Sequence, residues 1–384
     1  MKVFVIGLAL LPHRAAGDKN FYLDCFSSAW PEGTEIHVLS FAGRDLKAAQ
    51  LAPGVWLHEM SRPFHRNEYE RYGGTRNGVP YFRHRHGRVR ETLERSLALG
   101  KAVSKVREIS GKAPGLVHYI DNFGPFMAPA AKLMRARGTG ISSRPLNWPY
   151  TSASSQNYVR LSTGQADVIG ASSLAWMDGL GQLGIPKKKI RRQRWGIEVP
   201  DAPSPGTRAR RRHLIWTGFI PYVRPADFKV AWKAAESLRA ANQTMTFQFL
   251  FKPTSWREEF AQYARPGIEV GVSTKPFKSA LMDADALFSP LGENSILTPP
   301  LSWLEAMALE VPVITTNTFG ISELISDGVN GFVCQPGESL GGTVTRALES
   351  DLVAVGQNAR RKVNDEFRLD QCVQDMYDLW SELE

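Results

Sequence analysis

The chain has 384 residues, a length that predicts two domains, each able to bury a core of its own. Hydrophobic residues make up 43% and charged residues 22%, proportions that are typical of a globular protein and exclude a disordered one. No apolar run reaches the ~18 residues of a membrane span. Cys25, Cys334 and Cys372 have no metal-site spacing and indicate thiols in a reducing compartment. The net charge of +9 favours an acidic partner: nucleic acid, an anionic membrane or a phosphorylated substrate.

The first eleven residues are an apolar run in which Lys2 is the only charged side chain. A signal peptide begins in this way, but a polar helical pattern follows without a cleavage site, so we expect a buried first strand. Apolar runs that alternate with helical patterns predict the parallel strands of a βαβ architecture. In the first half of the chain we predict strands at 3–6, 35–39, 54–57, 116–119, 140–143, 168–171 and 190–195.

A polar stretch, 61–86, interrupts this alternation and is followed by a predicted helix at 89–109, whose apolar residues recur near 3.6-residue spacing. The Pro-, Gly- and Ser-rich segment 200–207 predicts a break between domains. The alternation then restarts, with strands predicted at 214–217, 247–251, 268–270, 286–289, 313–315 and 332–334. Helices are predicted at 227–240, 256–263, 301–308, 339–349 and 359–383.

We therefore expect an α/β fold of two doubly wound units. The predicted ranges are a first domain at 1–199, a linker at 200–212, a second domain at 213–358 and a C-terminal helical segment at 359–384. Two such units facing each other would form a cleft between the carboxyl ends of their sheets, where ligands bind in open α/β folds.

The most informative motif begins a helix in the second domain. Pro300 suits the first helical turn, where its missing amide hydrogen would have no partner. The amides of Leu301, Ser302 and Trp303 are then free to bind a phosphate. Glu305 lies about one turn deeper and is placed to accept hydrogen bonds from sugar hydroxyls. Phosphate together with vicinal hydroxyls indicates a nucleotide sugar.

Segments 300–308, 311–316, 320–325 and 327–332 together resemble the donor-site signature of retaining glycosyltransferases of family 4, which have the GT-B fold. The resemblance implies two Rossmann-like parallel-sheet domains facing a central cleft. It implies a nucleotide diphosphate sugar bound to the second domain and a C-terminal segment that packs back on the first. No cofactor or metal is implied, because cations and helix dipoles neutralise the diphosphate.

The same resemblance assigns roles around the first strand of the second domain. Family members end this strand on a Gly, followed by an Arg and then a Lys that grip the diphosphate and stabilise the leaving group. Here Gly218 is kept, Phe219 stands at the Arg position and Arg224 at the Lys position. Lys252 or Lys229 is a candidate to replace the missing cation.

Family members also carry an earlier Glu that touches the transferred sugar, while the Glu matched by Glu305 touches the ribose. Leu297 occupies that earlier position and cannot accept a hydrogen bond. Glu293 and Asn294 precede it and are candidates to fill the gap. Thr298, Leu301 and Ser302 complete the predicted donor contacts, and Arg224 and Glu305 are the predicted catalytic residues.

The predicted acceptor site lies in the first domain. Gly17 is what remains of the glycine-rich turn that in relatives touches the donor phosphate, and His13 lies in the same loop. Asp121 and Asn122 follow the fourth strand, where side chains commonly face a cleft. Arg144 ends the next strand, near the place where many relatives have a His.

Nine Arg residues cluster between Arg62 and Arg95, with His and aromatic residues among them. Arginine suits phosphate and aromatic rings suit a membrane interface. The stretch is a candidate to dock on anionic lipid, or to grip a lipid diphosphate or an acidic glycan acceptor; a solvated loop is the alternative. No nucleic-acid-binding motif accompanies the charge, so we expect no nucleic acid partner.

The sequence thus predicts a transferase that moves a hexose-type sugar from a UDP- or GDP-sugar to a glycan or lipid-linked acceptor with retention of configuration. The expected context is cell-envelope polysaccharide or glycolipid synthesis, in the cytoplasm or at the inner membrane face. Leu297 and Phe219 favour one alternative, a non-catalytic GT-B scaffold or partner subunit. A second alternative is a sugar-nucleotide epimerase of related fold.

Overall fold

The structure of the protein is a computed structural model. It describes residues 1–7, 21–41, 48–61, 69–76, 79–84, 87–111, 115–120, 127–135, 138–144, 153–201, 212–218, 225–251, 256, 258–291 and 300–384. The chain forms two compact units. Unit 1 comprises Met1–Glu68, His86–Gly196 and Leu369–Glu384, and unit 2 comprises Tyr69–Arg85 and Ile197–Arg368.

Unit 1 is built on an eight-stranded sheet with the order β10-β9-β8-β7-β1-β2-β4-β3. Its strands are β1 Lys2–Gly7, β2 Glu35–Phe41, β3 Ala49–Ala52, β4 Val55–Met60, β7 Leu116–Ile120, β8 Gly140–Arg144, β9 Val168–Ala171 and β10 Ile190–Arg192. All neighbours pair in parallel except β3, which is antiparallel to β4 at the edge. The central strands read as apolar runs because both faces of a parallel sheet are covered.

The helices of unit 1 are α1 Phe21–Ser27, α2 Gly87–Ser110, α3 Met127–Arg135, α4 Ala153–Thr163, α5 Leu174–Gln182 and α11 Leu369–Ser381. The last of these buries Met376, Leu379 and Trp380. Trp380 stacks on Trp30 with ring centroids 5.1 Å apart. The C-terminal helix is therefore part of the core of unit 1.

Unit 2 has a six-stranded parallel sheet with the order β13-β12-β11-β14-β15-β16. Its strands are β11 His213–Gly218, β12 Thr246–Phe251, β13 Ile268–Val272, β14 Ala286–Phe288, β15 Val313–Thr316 and β16 Phe332–Cys334. Its helices are α6 Pro225–Ala241, α7 Phe277–Asp283, α8 Leu301–Ala308, α9 Leu340–Glu349 and α10 Leu352–Glu366. An aromatic cluster that includes Trp216, Phe228 and Phe249 fills the core on one side of this sheet.

The α/β class is confirmed, and each predicted strand is present within a few residues of its predicted bounds. The edge strand β3 was not predicted, and three further segments differ from the sequence-based expectation. The polar stretch contains an antiparallel hairpin, β5 Tyr69–Arg76 with β6 Val79–His84, which groups with unit 2. The helix predicted at 256–263 is a short 3-10 helix, Glu258–Tyr263. The closing helix is two helices, α10 and α11, and the chain passes from unit 2 to unit 1 between them.

Candidate functional site

Helix α8 has the predicted bounds, 301–308, but the place of Pro300 in it differs from the expectation. Pro300 is its N-cap, with φ −63° and ψ 136°, rather than its first helical residue. The Pro300 carbonyl accepts hydrogen bonds from the amides of Trp303 (2.9 Å) and Leu304 (3.3 Å). The Trp303 amide is therefore used inside the helix, which corrects the expectation that it is free for a ligand. Leu301 and Ser302 remain as the first two helical residues, whose amides have no intrahelical acceptor.

Glu305 lies one turn inside α8, between the fully buried residues Leu304 and Ala306. Its own side chain is partly buried. The carboxylate therefore lies in a surround of reduced polarity, in which hydrogen bonds to it are stronger than in water.

Two sets of hydrogen bonds fix the segment that leaves β14. The indole Nε1 of Trp303 donates to Oγ of Ser289 (2.8 Å), and the Thr315 hydroxyl donates to the Ser289 carbonyl (2.9 Å). The Leu291 amide donates to the Thr316 hydroxyl (2.9 Å), which in turn donates to the Leu291 carbonyl (2.7 Å). The segment is thus held by β15 and by α8. The sequence analysis missed this network, although Ser289 and Thr315 each stand at a strand end.

The other end of α8 is held by α10. Glu310 has a left-handed backbone (φ 61°), and a Cβ added to Gly356 would lie 2.1 Å from its carbonyl oxygen. Arg360 donates to the carbonyls of Ala308 and Pro200, the second at 2.6 Å. Close helix packing and a guanidinium therefore fix the C-terminus of α8.

The last part of the donor-site signature forms a turn of its own. The Asn330 side chain accepts from the Ser326 amide (2.7 Å) and donates to the Leu324 carbonyl (3.0 Å). The Asp327 carboxylate accepts from the Val333 amide (2.9 Å) and from Arg346 (3.1 Å). These side chains stabilise the turn that leads into β16, so their presence in the signature has a structural reason.

Arg144 ends β8, as predicted, and is fully buried. Its guanidinium carbon lies 4.3 Å from the ring centroid of Trp195 and 5.4 Å from that of Phe21. Its Nη2 donates to the carbonyls of Gln193 and Arg194, both at 3.2 Å. The side chain is covered by aromatic rings, and its role in acceptor binding stays a prediction.

A buried histidine lies on the strand beside β8. His118 on β7 is fully buried, and its Nδ1 lies 2.8 Å from Oγ of Ser142. Burial lowers the pKa of His118 to about 3, and the positive charge of Arg144 acts in the same direction. His118 is therefore neutral at physiological pH and cannot serve there as a cation for an anionic ligand.

Gly218 ends β11, as predicted, and β11 lies beside β14 in the sheet. Leu301, Ser302 and Glu305 lie on α8 of the same unit, and the donor contacts of these four residues stay predictions. The alternative cation Lys229 lies on α6 and is partly buried. The remaining predicted site residues lie outside the described residues: His13, Gly17, Asp121, Asn122, Phe219, Arg224, Lys252, Glu293, Asn294, Leu297 and Thr298.

Two features are absent from the described part of the chain. No group of three or more His, Cys, Asp or Glu side chains in it could hold a metal ion. Among its helices, none combines the length and apolarity required to span a membrane.

Known proteins share both sequence and fold with this chain. Residues 211–350 match the sequence profile of the family described as glycosyl transferases group 1. The putative colanic acid biosynthesis glycosyltransferase WcaL of Salmonella typhimurium is 26% identical over 274 residues, 65% of this chain and 66% of that protein. Anabaena Alr3699/HepE, crystallised with UDP-glucose, has a TM-score of 0.67 at 14% identity and covers 100% of both chains. Sucrose-phosphate synthase of Thermosynechococcus elongatus has a TM-score of 0.69 at 14% identity, over 100% of this chain and 98% of its own.

The two parallel-sheet units and their structural neighbours define the fold as GT-B. The predicted resemblance to GT-B, family 4-like glycosyltransferases is thereby confirmed. The matched segment covers slightly less than two thirds of WcaL, and the family profile matches only residues 211–350 of this chain.

Proposed function

We propose that the protein is a glycosyltransferase that moves a hexose-type sugar from a nucleotide diphosphate sugar to a glycan or lipid-linked acceptor. The fold and the family profile support transferase chemistry. HepE was crystallised with UDP-glucose, which supports a nucleotide sugar as donor. The name of WcaL refers to colanic acid biosynthesis, which supports polysaccharide synthesis as the context.

The observation that carries the proposal is the N-terminus of α8 with Glu305 one turn behind it. The amides of Leu301 and Ser302 and the positive end of the helix dipole suit a diphosphate. The Glu305 carboxylate accepts hydrogen bonds from the two hydroxyls of the ribose. The fixed position of α8 between Ser289 and Gly356 keeps these groups preorganised for the nucleotide.

In the proposed reaction the bond between the anomeric carbon and the diphosphate breaks, and an acceptor oxygen bonds to that carbon from the same face. The departing phosphate oxygen takes the acceptor proton, so no strong protein base is required. The α8 amides and Arg224 stabilise the charge that develops on the leaving group. We propose that these groups do so without a metal ion.

A thermal-shift panel identifies the base and the sugar. The protein is heated with uridine, guanosine and adenosine diphosphates and with their hexose conjugates. We expect one nucleotide series to raise the melting temperature, because ligand bound only to the folded state stabilises it. A panel in which no nucleotide changes the melting temperature would contradict the donor site.

Retention is tested on the product. The anomeric configuration of the transferred sugar is read by NMR coupling constants and compared with that of the donor. The same configuration agrees with the proposal, and the opposite one excludes a retaining mechanism. Conversion of the donor sugar without any acceptor would instead identify the epimerase alternative.

The second candidate, a non-catalytic GT-B scaffold, is favoured by Leu297 and Phe219 at the positions of a family Glu and Arg. It predicts no turnover of any donor and tight binding to a transferase or a glycan. Donor consumption in the presence of acceptor, measured as release of nucleoside diphosphate, separates the two candidates.

The arginine-rich stretch 62–95 stays a candidate for binding an anionic membrane or an acidic acceptor. Sedimentation with phosphatidylglycerol vesicles, compared with phosphatidylcholine vesicles, tests the first role. Binding to the anionic vesicles alone, weakened by salt, is the expected result for a peripheral protein.

A further inference from the structure

Two cysteines that are 347 positions apart in sequence meet in the core of unit 1. Cys25 lies on α1 and Cys372 on α11, and their Sγ atoms are 4.0 Å apart. Both side chains are fully buried. The third cysteine, Cys334, lies in unit 2, where its thiol donates to the Glu338 carbonyl at 3.3 Å. The pair therefore joins the first helix of the described chain to the last one.

The surround of Cys372 is unlike that of an ordinary buried thiol. Its Sγ lies 3.0 Å from the Arg194 carbonyl oxygen, which also accepts a hydrogen bond from Arg144. Arg144 is fully buried, and in the part of the chain that the structure describes its Nε and Nη1 have no hydrogen-bond partner. The guanidinium keeps its charge in a protein interior. The carboxylate of Asp375 is paired with the Arg194 side chain at 2.7 Å, and its charge acts on Cys372 in the direction opposite to that of Arg144.

The charge of Arg144 lowers the pKa of both sulfurs, but the other contributions differ between them. Burial and the contact with Cys372 raise the pKa of Cys25 and outweigh the charge of Arg144. Burial also raises the pKa of Cys372, but the hydrogen bond from Cys25 and the charge of Arg144 outweigh it, so the pKa of Cys372 is lowered. The thiolate is the reactive form of cysteine, so Cys372 is the more nucleophilic sulfur of the pair.

We propose that Cys25 and Cys372 are a disulfide-forming pair, in which Cys372 is the attacking sulfur and Cys25 the resolving one. With hydrogen peroxide as the oxidant, the Cys372 thiolate attacks one peroxide oxygen and the O–O bond breaks. The other oxygen leaves as hydroxide, and the proton that the Cys372 thiol had released converts it to water. The Cys25 sulfur then displaces the hydroxyl of the Cys372 sulfenic acid, which leaves as a second water with the Cys25 thiol proton. Two thiols and one peroxide thus give one disulfide and two waters.

A disulfide requires sulfurs about 2.05 Å apart, so the pair must close by roughly 2 Å. Rotation of the two side chains and a small shift of α11 on α1 supply this movement. Since both sulfurs are buried, the oxidant enters when α11 opens locally from unit 1. The disulfide links α11 covalently to α1 within unit 1. Helix α11 is the helix that begins at Leu369, where the chain passes from unit 2 to unit 1.

The test counts thiols in the wild-type chain. Protein is treated with hydrogen peroxide, denatured, alkylated with N-ethylmaleimide and weighed by mass spectrometry. We expect three adducts before oxidation and one after it, and non-reducing peptide mapping should link Cys25 to Cys372 while Cys334 carries the adduct. Three adducts after oxidation, or a link that includes Cys334, would overturn the proposal.

The order of the two sulfurs is tested with dimedone, which traps sulfenic acids. In the Cys25→Ser variant peroxide should give a dimedone adduct on Cys372, whereas in the Cys372→Ser variant Cys25 should stay unlabelled. A labelled Cys25 and an unlabelled Cys372 would reverse the assignment.

Arg144 is tested as a positioning residue through the rate of disulfide formation. Arg144→Met should slow the reaction by about tenfold, since one pKa unit changes the thiolate fraction about tenfold. Arg135→Met, which removes an arginine paired with Asp167 at the surface of unit 1, is the matched control and should react at the wild-type rate. A wild-type rate in Arg144→Met would remove Arg144 from the proposal. If that variant does not fold, the thiol count on the wild type still decides the pair.

Discussion

A single carboxylate defines the proposed donor site at the residue scale. Glu305 was predicted from sequence because a Glu one turn inside the helix that follows Pro300 is placed to accept hydrogen bonds from sugar hydroxyls. The geometry of the helix start was only partly predictable. Proline fixes only its φ angle, and the ψ angle of 136° makes Pro300 the N-cap. Its carbonyl therefore accepts the Trp303 amide, which the sequence analysis had wrongly assigned to the ligand.

Side-chain partners were the part that sequence could not supply. Ser289 and Trp303 are separated by a loop, and nothing in their spacing predicts that indole and hydroxyl meet at 2.8 Å. The Cys25–Cys372 contact is likewise not predictable from sequence spacing, because it depends on where the C-terminal helix packs.

Ser289→Ala tests the anchor of α8. It leaves the buried Trp303 indole N–H without its acceptor, a change that costs about 1–3 kcal/mol. We expect a lower free energy of unfolding in urea and a higher KM for the donor, because α8 is less well fixed. Ser322→Ala, at an exposed serine of the same unit, is the control for stability. Equal stability of Ser289→Ala and wild type would mean that the hydrogen bond does not hold the helix.

His118→Gln tests the buried histidine of unit 1 through pH. The pKa of His118 is about 3 in the folded chain, against 6.5 for an unperturbed histidine, so the unfolded chain binds more protons between these values. The contribution of His118 to the free energy of unfolding is complete above pH 6.5. Below pH 6.5 this contribution decreases by about 1.4 kcal/mol for each pH unit. Lowering the pH from about 7.5 to about 5.0 should therefore destabilise wild type by about 2 kcal/mol more than the variant.

The measurement is urea unfolding of unit 1 at both pH values. Burial also lowers the pKa values of His37 and His58, the latter to about 4, so the variant keeps part of the acid sensitivity. An identical loss in wild type and variant would show that His118 is not neutral in the folded protein.

Strands and helices were largely predictable at the element scale. Buried parallel strands are apolar along most of their length, and this is why 116–119 or 247–251 stand out in the sequence. The edge strand Ala49–Ala52 has one open side and lacks that signal. The hairpin at Tyr69–Arg76 and Val79–His84 was missed because its residues are polar, although Asn77-Gly78 between them is a strong turn signal.

Gly356→Ala tests the contact between α8 and α10. A methyl group there would lie 2.1 Å from the Glu310 carbonyl oxygen, so the backbone of one helix has to move. We expect a loss of about 1–3 kcal/mol, seen as a lower melting temperature of unit 2. In α5, Gly181 has open space around its Cβ position, so Gly181→Ala should be neutral or stabilising. A neutral Gly356→Ala would contradict the close packing of the two helices.

At the scale of the whole molecule, each of the two units is formed by segments that are not contiguous in sequence. The sequence predicted two domains and placed the break near 200–212, but it did not predict that the hairpin at 69–85 groups with unit 2. Long-range grouping depends on surfaces that become complementary only after folding. For the C-terminal segment only the family resemblance implied packing on the first domain, and the buried face of α11 lies in the core of unit 1.

Deletion of Leu369–Glu384 tests this grouping. It removes Trp380 and Met376 from the core and the Asp375 partner of Arg194, so unit 1 should lose stability while unit 2 keeps its own. Hydrogen exchange should accelerate in β7 and β8 and stay unchanged in β14 and β15. A shorter deletion, of residues 382–384, removes surface ion pairs such as that of Arg191 and serves as the control. Equal acceleration in both sheets would contradict the assignment of α11 to unit 1.

The account depends most on the claim that α8 holds a nucleoside diphosphate through its N-terminus and Glu305. Isothermal titration of wild type, Glu305→Ala and Glu349→Ala measures this directly, because Glu349 is an exposed helix carboxylate of the same unit. We predict that wild type and Glu349→Ala bind the preferred nucleoside diphosphate equally. Glu305→Ala should bind it about 10- to 100-fold more weakly, since hydrogen bonds to a charged group contribute about 1.5–3 kcal/mol. Unchanged affinity in Glu305→Ala, or no binding of any nucleoside diphosphate by the wild type, would contradict it.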